Sequence, residues 1–298
     1  MMRTEIEITL PKISIITPSY NQAEFLEDCI KSVTTQGYSN LEYIVIDGGS
    51  HDNSVEIIKH YEDVLDYWVS EADDGQSNAI NKGFKLATGD IVAWLNSDDF
   101  YLPNALHNVA KAYNTNPTAS FYYGNGYRAD INGVQKNKFF QKGTVIFNLE
   151  SFILGLNYIL QPAAFINRNY LKQINYLNEN LHYGMDSDLW IRLAKQSAPQ
   201  AILSCLASSR EYGETKTSKG TFLRIEELRQ IAEKHSEYPI TPGTLLYFLD
   251  TLHRFVGEEN GPFPVSFQRD IEIFWQKSAQ LLKPLGLGPD GIPRKTIE

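Results

Sequence analysis

Three polar clusters and one pair of acids carry the side chains in this sequence that could do chemistry. The clusters are Thr17-Pro18-Ser19-Tyr20-Asn21, Asp47-Gly48-Gly49-Ser50 and Asn96-Ser97-Asp98-Asp99, and the acids are Asp186 and Asp188. Asp98 and Asp99 place two like charges at the end of an apolar run, which is costly unless hydrogen bonds or a cation compensate. Hard oxygen donors of this kind suit Mg²⁺ or Mn²⁺, which keep positions open for water or phosphate. The competing role is a cap on the helix expected near Pro103. Asp47 ends another apolar run and precedes two glycines that let a ligand approach the backbone. It can bond a base edge or a ribose, or it can simply serve an Asp-Gly turn while Asp52 caps the next helix. Tyr20 offers either a stacking face or ordinary half-buried packing. Asp186 opens a helical stretch, where it can accept a proton or only complement the helix dipole. Asp188, two residues on, points to another side of the helix axis.

The elements that would hold these residues follow from hydrophobic period. Strands are expected at Ile13–Thr17, Leu41–Ile46, Tyr67–Ser70 and Ile91–Leu95, alternating with helices at Glu24–Thr35, Asn53–Tyr61 and Gln76–Ala87. Continuous β-branched runs such as ISIIT and YIVI indicate strands buried on both faces, and strands alternating with helices indicate a parallel, open α/β sheet. In such sheets ligands bind beyond the carboxyl ends of the strands, where all three clusters fall. Gly89 reads as a left-handed stop between the third helix and the fourth strand. After Leu102 the pattern is mixed, with a helix at Pro103–Tyr113, strands at Ala119–Tyr123, Val134–Gln141 and Ala163–Asn167, and a helix at Asp186–Lys195. From Thr221 onward it is mainly helical, interrupted at Pro239, Pro242 and Gly261–Pro264.

Composition narrows the classes. The chain has 298 residues, 42% hydrophobic and 21% charged, which suits a folded domain rather than a disordered or collagen-like one. Acidic residues outnumber basic ones 36 to 27, so a nucleic-acid partner is not expected. The two cysteines, Cys29 and Cys205, lie far apart in apolar segments and support neither a disulfide framework nor a thiolate metal site. The six histidines show no metal-ligand spacing. An acidic N-terminus and the lack of a run of ~18 apolar residues argue against a signal peptide or a transmembrane segment. A cytoplasmic protein is expected, with peripheral attachment to the inner face of the membrane left open. The stripe Phe267, Ile271, Phe274 and Trp275 is read as core in preference to a membrane face.

Five motifs in order, TPSYN at 17–21, IVIDGGSHDNS at 44–54, DDGQSNAINKG at 73–83, ATGDIVAWLNSDD at 87–99 and GMDSDLWIRLA at 184–194, resemble those of family 2 glycosyltransferases over roughly the first 215 residues. The resemblance implies a GT-A fold, a mostly parallel open sheet flanked by helices. Residues 1–218 would be the catalytic domain, with a nucleotide-sugar half at about 11–115 and an acceptor half at about 116–218, and 219–298 a helical extension. It further implies a nucleoside-diphosphate-sugar donor (UDP-sugar favoured), a divalent cation (Mn²⁺ or Mg²⁺) and inversion at the anomeric carbon. The acceptor would be a saccharide or lipid-linked saccharide, in bacterial cell-surface polysaccharide or lipopolysaccharide synthesis, and a homodimer stays open. By motif, Pro18, Tyr20 and Asn21 line the nucleotide pocket, Asp47 reads the base and Asp73 shapes the donor site. Asn96, Ser97 and Asp98 face the diphosphate, Asp98 and Asp99 hold the cation, and Asp186 is the base. Gln161-Pro162 is similar to a loop near the acceptor.

Four positions depart from the family pattern: Asn96 replaces a common carboxylate, Met185 a common Glu, Ile80 a common basic residue, and Tyr212 a histidine. Asn96 and Ile80 keep open a catalytically silent carbohydrate- or nucleotide-binding assembly protein. A sugar nucleotidyltransferase would need a Gly-rich loop after the first strand, which TPSYNQ lacks. A phosphohydrolase with Asp47 as nucleophile is a weaker match. Lys216 reads equally as a phosphate contact or a solvated lysine.

Overall fold

Alternation within the apolar runs decides how the sheet is buried. In β1 (Ile13–Ser19), β2 (Leu41–Asp47) and β4 (Ile91–Trp94), Ile13, Ile15, Tyr43, Val45, Ile91 and Ala93 face one core, whereas Ile16, Ile44, Ile46, Val92 and Trp94 face a second. This period of two, with both faces apolar, sandwiches a parallel sheet between helices. The first core is covered by α1 (Ala23–Thr34), α2 (Ser54–His60) and α4 (Ala105–Thr115). The second is covered by α3 (Gln76–Leu86) and α7 (Met185–Ala194). The computed structural model describes residues 10–256 except 142, 143, 156, 214, 217–221, 237 and 239. The Gly261–Pro264 break and the stripe from Phe267 to Trp275 lie outside the described residues.

The remaining elements are β3 (Tyr67–Ser70), β5 (Phe100–Tyr101), β6 (Phe121–Ala129), β7 (Gln135–Lys138), α5 (Leu149–Ile153), β8 (Ala164–Asn167), α6 (Arg168–Gln173), β9 (Gln200–Arg210), α8 (Phe222–Ser236) and α9 (Pro242–Val256). Nine strands among the described residues form one sheet in the order β3-β2-β1-β4-β8-β6-β9-β5, with β7 paired to β6. β1, β2, β3 and β4 are mutually parallel, whereas β8 runs antiparallel to both β4 and β6. The chain moves outward from β1 to β2 and β3, then returns to β4 on the other side of β1. The ends of β1 and β4 therefore flank a switch point, where an open parallel sheet leaves a crevice.

Two strands were absent from the sequence expectation. β9 is parallel to β6 and antiparallel to β5. Its Ser/Ala-rich run AILSCLASSR has neither a clean alternation nor a continuous apolar stretch, so only its partners define it as a strand. Gly89 corrects a second expectation, because it is not among the positive-φ residues. Its requirement is space: a Cβ there would lie 2.6 Å from Ser14 Oγ and 2.7 Å from the Lys12 carbonyl oxygen.

Gly83 shows how closely α3 sits on the sheet, since a Cβ would meet Ile16 Cγ2 at 2.4 Å. In an unconstrained helix Gly→Ala stabilises by about 0.8–1 kcal/mol, but overpacking costs about 1–3 kcal/mol. Gly83→Ala is therefore expected to lower the urea midpoint. A raised midpoint would show that α3 can move off β1 freely.

Candidate active site

The crevice at the switch point is built by the turns after β1, β2 and β4. After β1, Asn21 adopts φ 52°, a left-handed conformation Asn tolerates. Its N–H donates to Ser50 Oγ at 2.8 Å, and its side-chain oxygen accepts from His51 N at 2.8 Å, which ties this turn to the one after β2. Pro18 lies inside β1, while Tyr20 is 57% exposed at its end, a large ring presented to solvent beside the crevice. Asp52 accepts from Ser54 N and Ala23 N, serving the starts of both α2 and α1.

Asp47 is fully buried. Its Oδ2 accepts from Gly49 N, Ser50 N and Ser70 Oγ at 2.6–3.1 Å, and Oδ1 accepts from Ser50 Oγ at 2.5 Å. The following turn has Gly49 at φ 80°. At Gly48, a Cβ would fall 2.7 Å from Asp73 Oδ2, so a glycine there makes room for the Asp73 carboxylate beside the β2 turn.

The Asn96–Asp99 segment separates its two acids. Asp99 is 3% exposed; its Oδ1 accepts from Arg210 N at 3.0 Å, and Asn96 Nδ2 lies 3.4 Å from its Oδ2. Burial, and next the charge of Asp98, push its carboxyl well above the ordinary range. Asp98 is half-buried and its Oδ2 accepts from the Tyr212 hydroxyl at 3.1 Å. Burial raises its pKa too, against the opposing Tyr212 hydrogen bond and Arg210 charge. Neither acid caps α4, which begins at Ala105 behind β5 and has no side-chain cap. Arg210 underlies the segment: it donates to the Asp98 carbonyl at 2.7 Å and to Asp28 at 2.8 Å, sandwiched between the rings of Phe25 and Phe100. Sequence reasoning missed Arg210 because β9 itself was missed.

Asn96 sits in a chain of amides. Its Oδ1 accepts from Gln76 Nε2 at 2.8 Å, and its Nδ2 donates to Gln161 Oε1 at 3.1 Å, while Gln161 Nε2 donates to the Trp94 carbonyl. The family's common carboxylate could not donate to Gln161, which gives the Asn a physical reason here. Ser97 is buried beside it. At the other end Gln76 Oε1 accepts from Lys216 Nζ at 3.0 Å. Lys216 also lines a pocket of about 100 Å³ with Asp186, Asn157, Tyr183, Arg224 and Tyr247. The amide chain and Lys216 thus run from the Asp98 loop to the Asp186 pocket.

Asp186 lies in the first turn of α7, with Oδ1 accepting from Ser187 N at 2.7 Å. Burial raises its pKa despite that hydrogen bond and the Arg224 charge. Burial also lowers Lys216, to about 8. Asp188 is held elsewhere: its carboxylate accepts from Arg192 Nε at 2.6 Å, Lys234 Nζ at 3.3 Å and His235 Nε2 at 3.3 Å. Burial alone would raise Asp188, but His235, Arg192 and Lys234 outweigh it and hold the carboxyl well below the ordinary range. Lys195 Nζ lies 3.0 Å from His235 Nδ1, so His235 carries its proton on Nε2 when it bonds Asp188. Asp188 fastens α7 to α8 and is not in the Asp186 pocket.

Comparison with known proteins meets this geometry. The family model described as glycosyl transferase family 2 matches residues 14–191, more than half of the chain. The chain belongs to this family. Among relatives of this glycosyltransferase, an uncharacterized glycosyltransferase of Mycobacterium tuberculosis (strain CDC 1551 / Oshkosh) is 28% identical over 233 residues, covering 77% of this chain and 86% of the relative. An uncharacterized glycosyltransferase of Rickettsia typhi is 25% identical over 276 residues, covering 91% and 82%. Among solved structures, S. aureus TarS 1-349 in complex with UDP-GlcNAc superposes with TM-score 0.61 at 18% identity, covering 92% of this chain and 78% of that one. The mannosyltransferase PcManGT from Pyrobaculum calidifontis, in complex with GDP-Man and Mn²⁺, gives 0.58 at 17% identity, covering 92% and 81%. The fold of this glycosyltransferase is therefore GT-A. No helix among the described residues is long and apolar enough to cross a membrane.

Proposed function

We propose that this glycosyltransferase moves a sugar, with inversion, from a nucleoside-diphosphate sugar to an acceptor hydroxyl. The observation that carries the reading is the Lys216–Gln76–Asn96 chain, which runs from the small pocket lined by half-buried Asp186 to the Asp98 loop at the end of β4. One end of the crevice is suited to a diphosphate and its cation, the other to a hydroxyl and its proton.

In this reading Tyr20 stacks on the base and Asn21 shapes the turn beneath it. Asp47 acts through the turn its four hydrogen bonds hold, and Asp73 faces the nucleotide across Gly48. No three His, Cys, Asp or Glu side chains gather among the described residues. The donor set still fits Mg²⁺ or Mn²⁺, because such ions are commonly held by one or two carboxylates plus phosphate and water. Asp98 is the ligand proposed, since Asp99 spends Oδ1 on β9. When bound, the cation neutralises the charge that develops on the leaving diphosphate. Asp186 accepts the proton of the acceptor hydroxyl as that oxygen attacks the anomeric carbon opposite the nucleotide. Arg224 and Lys216 keep the pocket cationic, which favours the ionised form of Asp186 against its burial. The acceptor in this reading is a saccharide or lipid-linked saccharide, in bacterial cell-surface polysaccharide or lipopolysaccharide synthesis.

A panel of UDP-, GDP-, dTDP- and CMP-sugars, each with and without Mn²⁺, tests the donor class by thermal shift. A ligand at a hundred times its Kd stabilises the native state by about 2.7 kcal/mol. One nucleotide series is expected to raise Tm only when Mn²⁺ is present. No shift with any series would overturn the reading.

A further inference from the structure

The helices after residue 218 lie beyond the 14–191 span that matches the family, yet one of their side chains reaches the loop that carries the proposed base. Glu227, on α8, accepts from three successive backbone N–H groups: His182 at 2.9 and 3.0 Å, Tyr183 at 2.6 Å and Gly184 at 3.0 Å. Gly184 is the N-cap of α7, two residues before Asp186. A Cβ on Gly184 would lie 2.5 Å from Ile231 Cδ1, so α8 packs directly on this loop and a larger residue would have to displace the Ile231 side chain. The same helix contributes Arg224 and Leu228 to the wall of the Asp186 pocket.

We propose that Glu227 is the positioning residue for Asp186: its carboxylate clamps the 182–184 backbone and thereby fixes where α7 starts and where Asp186 points. The N-terminal N–H groups of a helix are ordinarily left for a side-chain cap or an anion. Here Gly184 provides no side-chain cap, and a carboxylate 43 residues further along the chain takes the N-cap N–H of Gly184 together with those of the two loop residues before it. Oε2 takes the Tyr183 and Gly184 bonds and one from His182. A Gln with its carbonyl oxygen in the Oε2 place can keep those three bonds, but it loses the charge and turns its amide N–H groups toward the His182 N–H that Oε1 otherwise accepts. A displacement of about 1 Å at a reacting group costs up to roughly 10²-fold in rate. The α8 segment is thus part of the active site, and the proposal rests on Asp186 being the base.

The test compares Glu227→Gln, Glu227→Asp and Asp186→Asn in the full chain. Single-turnover release of nucleotide is measured with the donor that binds in the panel above and water as acceptor. Glu227→Gln is expected to lower the rate constant 10–100-fold with donor Kd within about threefold, and Glu227→Asp, which keeps the charge but retracts it by one methylene, to lose less. Amide hydrogen exchange at 182–184 should speed up in both Glu227 variants while α1 and α3 stay protected. The groups facing Asp186 are Lys216, Arg224, Tyr183 and Tyr247, with Glu227 and His182 near Lys216. As the loop loosens and Asp186 hydrates, the acidic limb of the rate profile should move to lower pH. An unchanged rate constant and unchanged exchange in Glu227→Gln overturn the clamp. Should Glu227→Gln not fold, the same results in Glu227→Asp overturn it. A parallel loss of donor affinity and rate also overturns it, as a general structural effect. If Asp186→Asn keeps its rate, the base assignment fails instead, whatever Glu227 does.

Discussion

Asp186→Asn is expected to lower the rate constant of transfer by about 10²–10⁴-fold, the usual contribution of a positioned base, while leaving the protein as stable as before or slightly more so. The stability half follows from the sign of the pKa shift. Burial raises Asp186 in the folded state, so the stability it contributes is complete only below its unfolded value, about 3.9, and is lost as pH rises through the raised folded value. At neutral pH its charge is a burden on the fold, and Asn removes it. Asp188 has the opposite sign. Its depressed pKa means its stabilisation is present above the unfolded value and lost as pH falls through the folded one. Asp188→Asn leaves Arg192 and Lys234 facing a neutral group and is expected to cost on the order of 3 kcal/mol, with donor affinity and single-turnover rate little changed in the molecules that remain folded. Urea unfolding of both variants at pH 7, alongside single-turnover transfer, reads all four quantities. Near-normal transfer by a folded Asp186→Asn protein would refute the base assignment. A larger catalytic loss in a stable Asp188→Asn protein would move the role two residues along α7. The raised pKa of Asp186 also predicts that the acidic limb of transfer lies above the ordinary carboxylate value of about 3.9.

Asp98→Asn is the second large effect expected. The change keeps side-chain size and a carbonyl oxygen for Tyr212 but removes the negative charge offered to a cation. Metal stabilisation of a leaving diphosphate is worth several kcal/mol, so turnover should fall by roughly 10²-fold or more. Calorimetry with Mn²⁺ and the matching nucleoside diphosphate should show weakened cation binding. Stability should hold or rise, because the charge of Asp98 adds to the penalty on buried Asp99. The parent should lose activity in EDTA and regain it with Mn²⁺. Full turnover after exhaustive chelation, or unaltered cation binding by the variant, would remove Asp98 from this role.

The readable residues were those whose meaning is local. ISIIT and YIVI could be placed as two-sided strands, and their carboxyl ends as the place of the polar clusters, because burial on both faces leaves a continuous apolar run. Asp47 was legible as a turn residue or a ligand contact, and its four hydrogen bonds favour the turn as the route by which it acts. Asp98 and Asp99 look equivalent in sequence, yet one meets Tyr212 and the other a backbone N–H of β9. That split depends on a strand without a periodic signal. Met185, unexplained from sequence, packs its sulfur 2.8 Å from Ser77 Oγ, joining α7 to α3.

By itself the sequence determined the parallel half of the sheet, the crevice beyond it and the residue types available there, since these follow from apolar period, strand ends and glycine-rich turns. Only the tertiary structure decided which of two acids on α7 faces the pocket, which of two at the end of β4 is tied to the protein, and that Lys216 meets Gln76, Arg210 the Asp98 loop and Glu227 the loop before α7. Those outcomes depend on contacts between segments tens to over a hundred residues apart, and a charged side chain carries no local mark of the partner it will meet.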